Sequence, residues 1–196
     1  QQFPDHLRVA GNHDWAALGH LDLEEFNREA RKMVLWTQKE LSPASLAYLR
    51  SLPDQPLLHG AFTVTHGSPR EPVWEYLLTR HQAMENFTYF TQQICFIGHS
   101  HVPLVFRLRP TNVCDGPSSP DSGMTLQIQP EMRYFVNPGS VGQPRNQDPR
   151  AAYAILNTEA ETLQFERVEY DIAKTQRLMR EAGLPEALAL RLQYGM

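Results

Sequence analysis

Four apolar, strand-like runs in this chain each break into a short segment of imidazole, carboxamide or flexible backbone. In order, the segments are Gly11-Asn12-His13-Asp14, His66-Gly67-Ser68-Pro69, Gly98-His99-Ser100-His101 and the loop from Asn137 to Arg145. A strand buried on both faces fixes where it ends, and the loop after it is free to face solvent and substrate. In open sheets, ligands gather beyond the carboxyl ends of the strands. One such junction is cheap in any sequence. Four in one chain are not, and they point to a site assembled at strand ends.

The rest of the chain is compatible with that reading. Its 196 residues are enough for one domain with a core, and 41% hydrophobic with 20% charged residues is ordinary for a globular protein. The formal net charge of -4 argues against an extended nucleic-acid surface, which needs clustered Lys and Arg. It leaves room for a phosphate substrate, because bound cations supply positive charge locally. No apolar run approaches the ~18 residues of a membrane span. The first residues carry neither the basic nor the apolar stretch of a signal peptide. Cys95 falls in an apolar strand and is expected buried, whereas Cys114 falls in a Pro/Ser/Gly loop and is expected exposed. With no disulfide framework, a reducing, cytoplasmic compartment is expected. The composition is compatible with self-association.

Periodicity gives a mixed order of elements. Strands are expected at 6–10, 57–58, 61–65, 94–97, 102–108, 125–128 and 133–136, with a hairpin over 151–156 and 163–170. Helices are expected over 22–39 behind an Asp22 cap, after Ser42-Pro43, over 80–93, over 171–182 up to Gly183, and from Pro185 towards Gly195. Residues 110–123, rich in Pro, Ser, Gly and Asp, read as a loop and a candidate substrate lid.

Gly98-His99-Ser100-His101 is the most specific metal signal. Two imidazoles one residue apart can reach the two ions of a pair ~3.5–4 Å apart. The bland alternative is a hydrogen-bonded His pair in a turn. Asn12 and Asp14 also suit a helix N-cap, a role that coexists with ligation. The Asn137–Arg145 loop offers backbone N–H groups to an anion, and Arg145 a bidentate hold on a phosphate oxygen. Alternatively it only shapes the edge of the cleft. His6, His20, His59 and His81 fit no motif and read as surface or structural groups. Among the tryptophans, which more often pack than bind, Trp15 stands out because it directly follows the Asn-His-Asp segment.

Together the four segments resemble the calcineurin-like metallophosphoesterases, in particular their bacterial and archaeal phosphodiesterase-like branch. The likeness covers nearly the whole chain. It implies an α+β fold with a two-sheet sandwich flanked by helices. It also implies two divalent ions (manganese, iron or zinc) and a metal-bridging hydroxide that attacks the phosphorus of a phosphomono- or phosphodiester. The partner would be a small phosphate ester or nucleotide. Carried over by motif, Asn12, His66, His99 and His101 are metal ligands. His13 is the acid or electrostatic catalyst, Asp14 orients its ring, and Asn137 and Arg145 bind substrate.

The family also opens with Asp-x-His and Gly-Asp segments, and this chain has neither. The resemblance then leaves three ligands for one ion and only His101 for the other. We therefore expect the domain of residues 1–196 to lack its first strand-helix unit, at least ~30 residues ahead of Gln1, and the fragment alone to be impaired. The rival reading is a catalytically dead scaffold of the same fold that binds partner proteins; retention of His13 and of the Gly98–His101 segment disfavours it. A redox or proton-shuttling metal protein is disfavoured by the lack of a thiolate or carboxylate cluster.

Overall fold

The computed structural model describes residues 6–196. Two sheets pack face to face and helices flank them. The larger sheet holds six strands: β1 (Leu57–His59), β2 (Phe62–Val64), β3 (Ile94–Phe96), β4 (Leu104–Leu108), β5 (Cys114–Ser118) and β7 (Arg133–Asn137). They lie side by side in the order β1-β2-β3-β7-β4-β5. The smaller sheet, in the order β6-β9-β8, holds β6 (Thr125–Gln127), β8 (Ala151–Asn157) and β9 (Thr162–Val168).

Alternation along the central strands builds both layers of core. Ile94, Val105, Tyr134 and Val136 point to the smaller sheet, meeting Leu126, Leu163 and Phe165. Their neighbours Cys95, Phe106 and Phe135 point the other way, onto Ala83 and Phe87 of the helical layer. That layer includes α4 (Arg80–Asn86), capped by the Thr79 side chain.

The sheet's topology positions the site. β2, β3 and β7 are parallel neighbours in matched register, Val64 opposite Phe96 and Phe96 opposite Val136. Their carboxyl ends therefore lie level. Two residues past Val64 comes His66, two and three past Phe96 come Gly98 and His99, and one past Val136 comes Asn137. The Gly98 N–H donates to the His66 carbonyl at 2.8 Å, extending the ladder beyond the strands.

Several expectations need correcting. Residues 6–10 form no strand; the Ala10 N–H donates to the Pro53 carbonyl instead of joining a ladder. The helix expected over 22–39 is broken. Asp22 caps a 3₁₀ turn (Leu23–Glu25), and Asn27 caps the helix proper, α2 (Arg28–Glu40). The helix over 80–93 stops as α4 at Asn86 and passes into a 3₁₀ turn. The 110–123 segment contains β5, antiparallel to β4 on the sheet's outer edge. An edge strand pairs through its backbone and tolerates Pro117. This pairing also buries Cys114, expected exposed, at 3% exposure against the core. It sets the segment two strands away from β7, so it is no lid over the strand ends.

Three helices stand close to expectation: α3 (Pro43–Arg50) behind its Ser42 cap, α5 (Ile172–Glu181) behind Asp171, and α6 (Glu186–Leu190); a short helix not among those expected, α1 (Asn12–Ala17), follows Gly11. No helix among the described residues is long and apolar enough to cross a membrane.

Candidate metal centre

Three donor atoms meet at the strand ends. His66 Nε2 lies 3.0 Å from Asn12 Oδ1 and 3.1 Å from His99 Nδ1. Asn12, at the start of α1, and His99 are each only 6% exposed. The His66 ring passes against Gly11: a Cβ there would sit 2.7 Å from two ring atoms, so only glycine admits this approach.

Hydrogen bonds fix which nitrogen each ring presents. His99 Nε2 donates to the Trp74 carbonyl at 3.1 Å, leaving the Nδ1 lone pair facing His66. His101 Nδ1 donates to the Gln143 carbonyl at 2.7 Å, leaving Nε2 as the free donor atom. A backbone carbonyl behind a metal-ligating imidazole sets its tautomer in this manner. His99 and His101 both have left-handed backbone, each with φ of 61°. Non-glycine residues there are strained, and such strain gathers at functional sites.

The donor set fits a divalent ion. Ligand atoms about 2.1 Å from one ion and at right angles to each other lie about 3.0 Å apart. Two imidazoles and a carboxamide suit first-row transition metals. Among the described residues no group of three or more His, Cys, Asp or Glu side chains converges, because the third donor here is the Asn12 carboxamide. His101, whose charge would be felt at both His66 and His99, presents its own lone pair.

Burial keeps these bases neutral. It pushes His66 down to about 3, helped by the nearby imidazoles. It also brings His99 to about 4 against the opposing Trp74 hydrogen bond, and His101 to about 4 with help from Arg145. An unfolded His titrates near pH 6.5. Between pH 6.5 and 4 the unfolded chain therefore binds more protons than the folded one. The resulting stability is complete above pH 6.5 and is lost as pH falls through about 4. We expect the unfolding midpoint of metal-free protein to fall between pH 7 and pH 5, above the range where carboxylates titrate. Calorimetry showing equal midpoints at the two values would contradict this.

The remaining expected site residues fall into two groups. His13 lies beside Phe26 and, with Arg145, borders a cavity of about 350 Å³ that reaches Asn12 and His99. Desolvation in that cleft and the Arg145 charge lower its pKa, with Asp14 opposing. Arg145 is aimed by Gln143, whose Oε1 accepts from its Nε and Nη2. By contrast, Asp14 Oδ2 accepts from the Gly11 N–H at 2.8 Å, so its hydrogen bond caps α1 rather than holding the His13 ring.

Asn137 is fully buried. Its Nδ2 donates to the Gly98 carbonyl and to Ser100 Oγ, and its Oδ1 accepts from the Gly139 N–H. With its polar atoms so engaged it holds the histidine turn and does not face the cleft. Trp15 packs edge-on to His20 and does not border the cavity.

The sequence reading missed three residues. Trp74 and Tyr76 border the cavity, and the Tyr76 ring stacks on His99 at 3.9 Å between centroids. Their segment is anchored by the intervening Glu75. Burial raises the Glu75 pKa, but hydrogen bonds from Arg70, Ser68 and Asn86 outweigh it and hold the carboxylate ionised. An aromatic pair flanking an acid just past His-Gly-Ser-Pro was the available signal. The third residue, Arg191, carries no sequence signal, because its place depends on how the C-terminal segment docks.

The chain is similar to known proteins along most of its length. Residues 1–161 match the calcineurin-like phosphoesterase superfamily domain. An uncharacterised protein of Methanocaldococcus jannaschii is 34% identical over 193 residues, 96% of this chain and 75% of that protein. The crystal structure of a metallophosphoesterase from Sphaerobacter thermophilus superposes with a TM-score of 0.83 at 48% identity, covering 96% of this chain and 76% of that one. A hypothetical protein from Pyrococcus horikoshii shares the fold at 18% identity, with a TM-score of 0.71 over 100% of this chain and 75% of its own. On its match over residues 1–161, with two sheets flanked by helices as in that metallophosphoesterase, this chain belongs to the calcineurin-like phosphoesterase superfamily.

Proposed function

We propose that this chain carries the metal site of a two-metal phosphoesterase acting on phosphomono- or phosphodiesters of small molecules or nucleotides. The observation that supports it is the meeting of Asn12 Oδ1, His66 Nε2 and His99 Nδ1 at the ends of parallel strands, beside a cleft bordered by His13 and Arg145. Asn12, His66 and His99 would hold one ion and His101 would contribute to the second. Manganese, iron or zinc suits these donors, and when bound such ions supply Lewis-acid charge and an activated water.

The side chains do the rest. Hydrolysis makes a new P–O bond to the oxygen of water and breaks the ester P–O bond, leaving charge on the departing oxygen. His13, kept largely neutral by its surroundings, still has a ring N–H to offer that oxygen. Arg145 meets the phosphoryl oxygens with a planar fork. Tyr76, stacked on His99, keeps that ring from turning. The buried thiols Cys95 and Cys114 suit a reducing cytoplasm.

The test is hydrolysis of p-nitrophenyl phosphate and bis-p-nitrophenyl phosphate by the intact protein supplied with Mn²⁺. His13→Ala should lower turnover about 100-fold while metal content, read by elemental mass spectrometry, stays unchanged. Loss of metal together with turnover would remove His13 from the non-ligand role. Metal-loaded protein inert towards both esters would favour the scaffold reading.

A further inference from the structure

The C-terminal segment lies outside the residues matched by the family domain, yet it reaches the site. α6 and the 3₁₀ turn after it (Arg191–Tyr194) are packed in place. Ala189 and Leu192 are buried at 1% and 4% exposure. The buried Gln176 of α5 donates through Nε2 to the Ala189 carbonyl at 2.9 Å. Gly195, in the left-handed region with φ of 64°, sits against Asp148 so closely that a Cβ would lie 2.6 Å from its backbone. The Gln147 N–H donates to the Gly195 carbonyl at 2.9 Å, tying the tail to the loop that carries Arg145.

What this docking delivers to the cleft is Arg191. It borders the cavity of about 350 Å³ that holds His13 and His99. It also borders an adjoining cavity of about 330 Å³ that holds His13, His101 and Gln143. Arg145 borders both as well. Two guanidiniums thus flank His13, and neither pairs with an Asp or Glu side chain among the described residues. Arg145 leans on the neutral Gln143 carboxamide, and Arg191 Nε donates to the Met196 main chain. Glu25, exposed on its 3₁₀ turn, is the carboxylate that borders the first cavity. Desolvation, and after it the neighbouring Arg145 charge, depress the Arg191 pKa. Like charges held together beside a cleft, neither of them in an ion pair with an Asp or Glu side chain among the described residues, form a site for a multiply charged anion. A single phosphoryl group at the metal centre needs one fork, and Arg145 supplies it.

We propose that Arg191 holds a second phosphoryl group adjacent to the scissile one held by Arg145, so that the cleft selects diphosphate-type substrates over simple monophosphates. This rests on the phosphoesterase reading for which phosphoryl group is cleaved, but the binding preference is measurable without turnover. The probes are methylenediphosphonate and methylphosphonate, neither of which is hydrolysed, titrated calorimetrically into the full-length protein as purified.

Wild type should bind the diphosphonate at least 10-fold more tightly, and this margin should shrink as salt rises, as for any guanidinium-held anion. Arg191→Ala should bring the ratio to about 2 or less while leaving methylphosphonate affinity unchanged. Arg191→Lys, a point charge without the fork, should retain part of it. Equal affinity of wild type for both probes would overturn the proposal. So would an undiminished ratio in Arg191→Ala, or equal weakening of both probes. Should Arg191→Ala unsettle the tail, equal affinity of wild type for the two probes still overturns the proposal. Hydrolysis of bis-p-nitrophenyl phosphate by the same preparations separates the two readings. Active protein without the preference sinks the second phosphoryl site alone, and inert protein with it sinks the hydrolase alone.

Discussion

Replacing His66 by Ala is expected to weaken divalent-metal binding about 10³-fold or more. The ring is the hinge of the donor set: its Nε2 lies within 3.1 Å of both other donor atoms, whereas Asn12 and His99 meet only through it. Its loss leaves a carboxamide and one imidazole, too few to hold an ion against water. Gly11→Ala tests the same geometry without touching a ligand. Gly11 has an ordinary extended backbone, φ of -110°, so alanine brings no conformational strain. The added methyl would lie 2.7 Å from His66 Cε1 and Nδ1, and the ring must move. We expect Gly11→Ala to fold and to bind metal more weakly than wild type but better than His66→Ala. Equilibrium dialysis against Mn²⁺ or Zn²⁺ reads all three proteins. Unchanged affinity in His66→Ala would show that the ion is held elsewhere.

That such predictions can be placed on single residues reflects how locally the site was written. The run Ile94–Ile97 announces a buried strand, and the Gly98-His99-Ser100-His101 segment at its end carries its own turn. The matched register of β2, β3 and β7 then brings His66, His99 and Asn137 level. What sequence reading missed depends on pairings with no local pattern. β5 is a strand because β4 offers a free edge, and its Cys-Asp-Gly-Pro-Ser run has no apolar alternation to declare it. The break at Asn27 was hidden because Asp22 and Asn27 are equally good caps, and both are used. Arg191 enters the cleft only because Gly195 and Leu192 seat the tail, a contact between segments far apart in the chain. The motif makes Asp14 a partner for His13, but the N–H of Gly11 at the start of α1 donates to its Oδ2.

Asn137 is expected from its motif to bind substrate, but its hydrogen bonds tie it to the histidine turn, and its replacement has a large expected effect on the fold. Asn137→Ala should lower stability by about 4 kcal/mol. The side chain has no exposed surface, so solvent does not replace what it loses. Three groups lose their partner: the Gly98 carbonyl at 2.7 Å, Ser100 Oγ at 2.9 Å and the Gly139 N–H at 3.0 Å. Two of these belong to the turn that carries His99 and His101 in left-handed backbone, a conformation that persists only while its surroundings enforce it. The destabilisation should therefore be accompanied by weaker metal binding, although Asn137 touches no metal-facing atom. Asn137→Asp separates the two functions expected of this position. It keeps the acceptor for the Gly139 N–H but sets a carboxylate oxygen against the Gly98 carbonyl. A positioning role predicts that it fails like alanine in both unfolding midpoint and metal affinity. A substrate-binding role predicts normal stability and metal content with a raised KM, and that result would return Asn137 to the cleft.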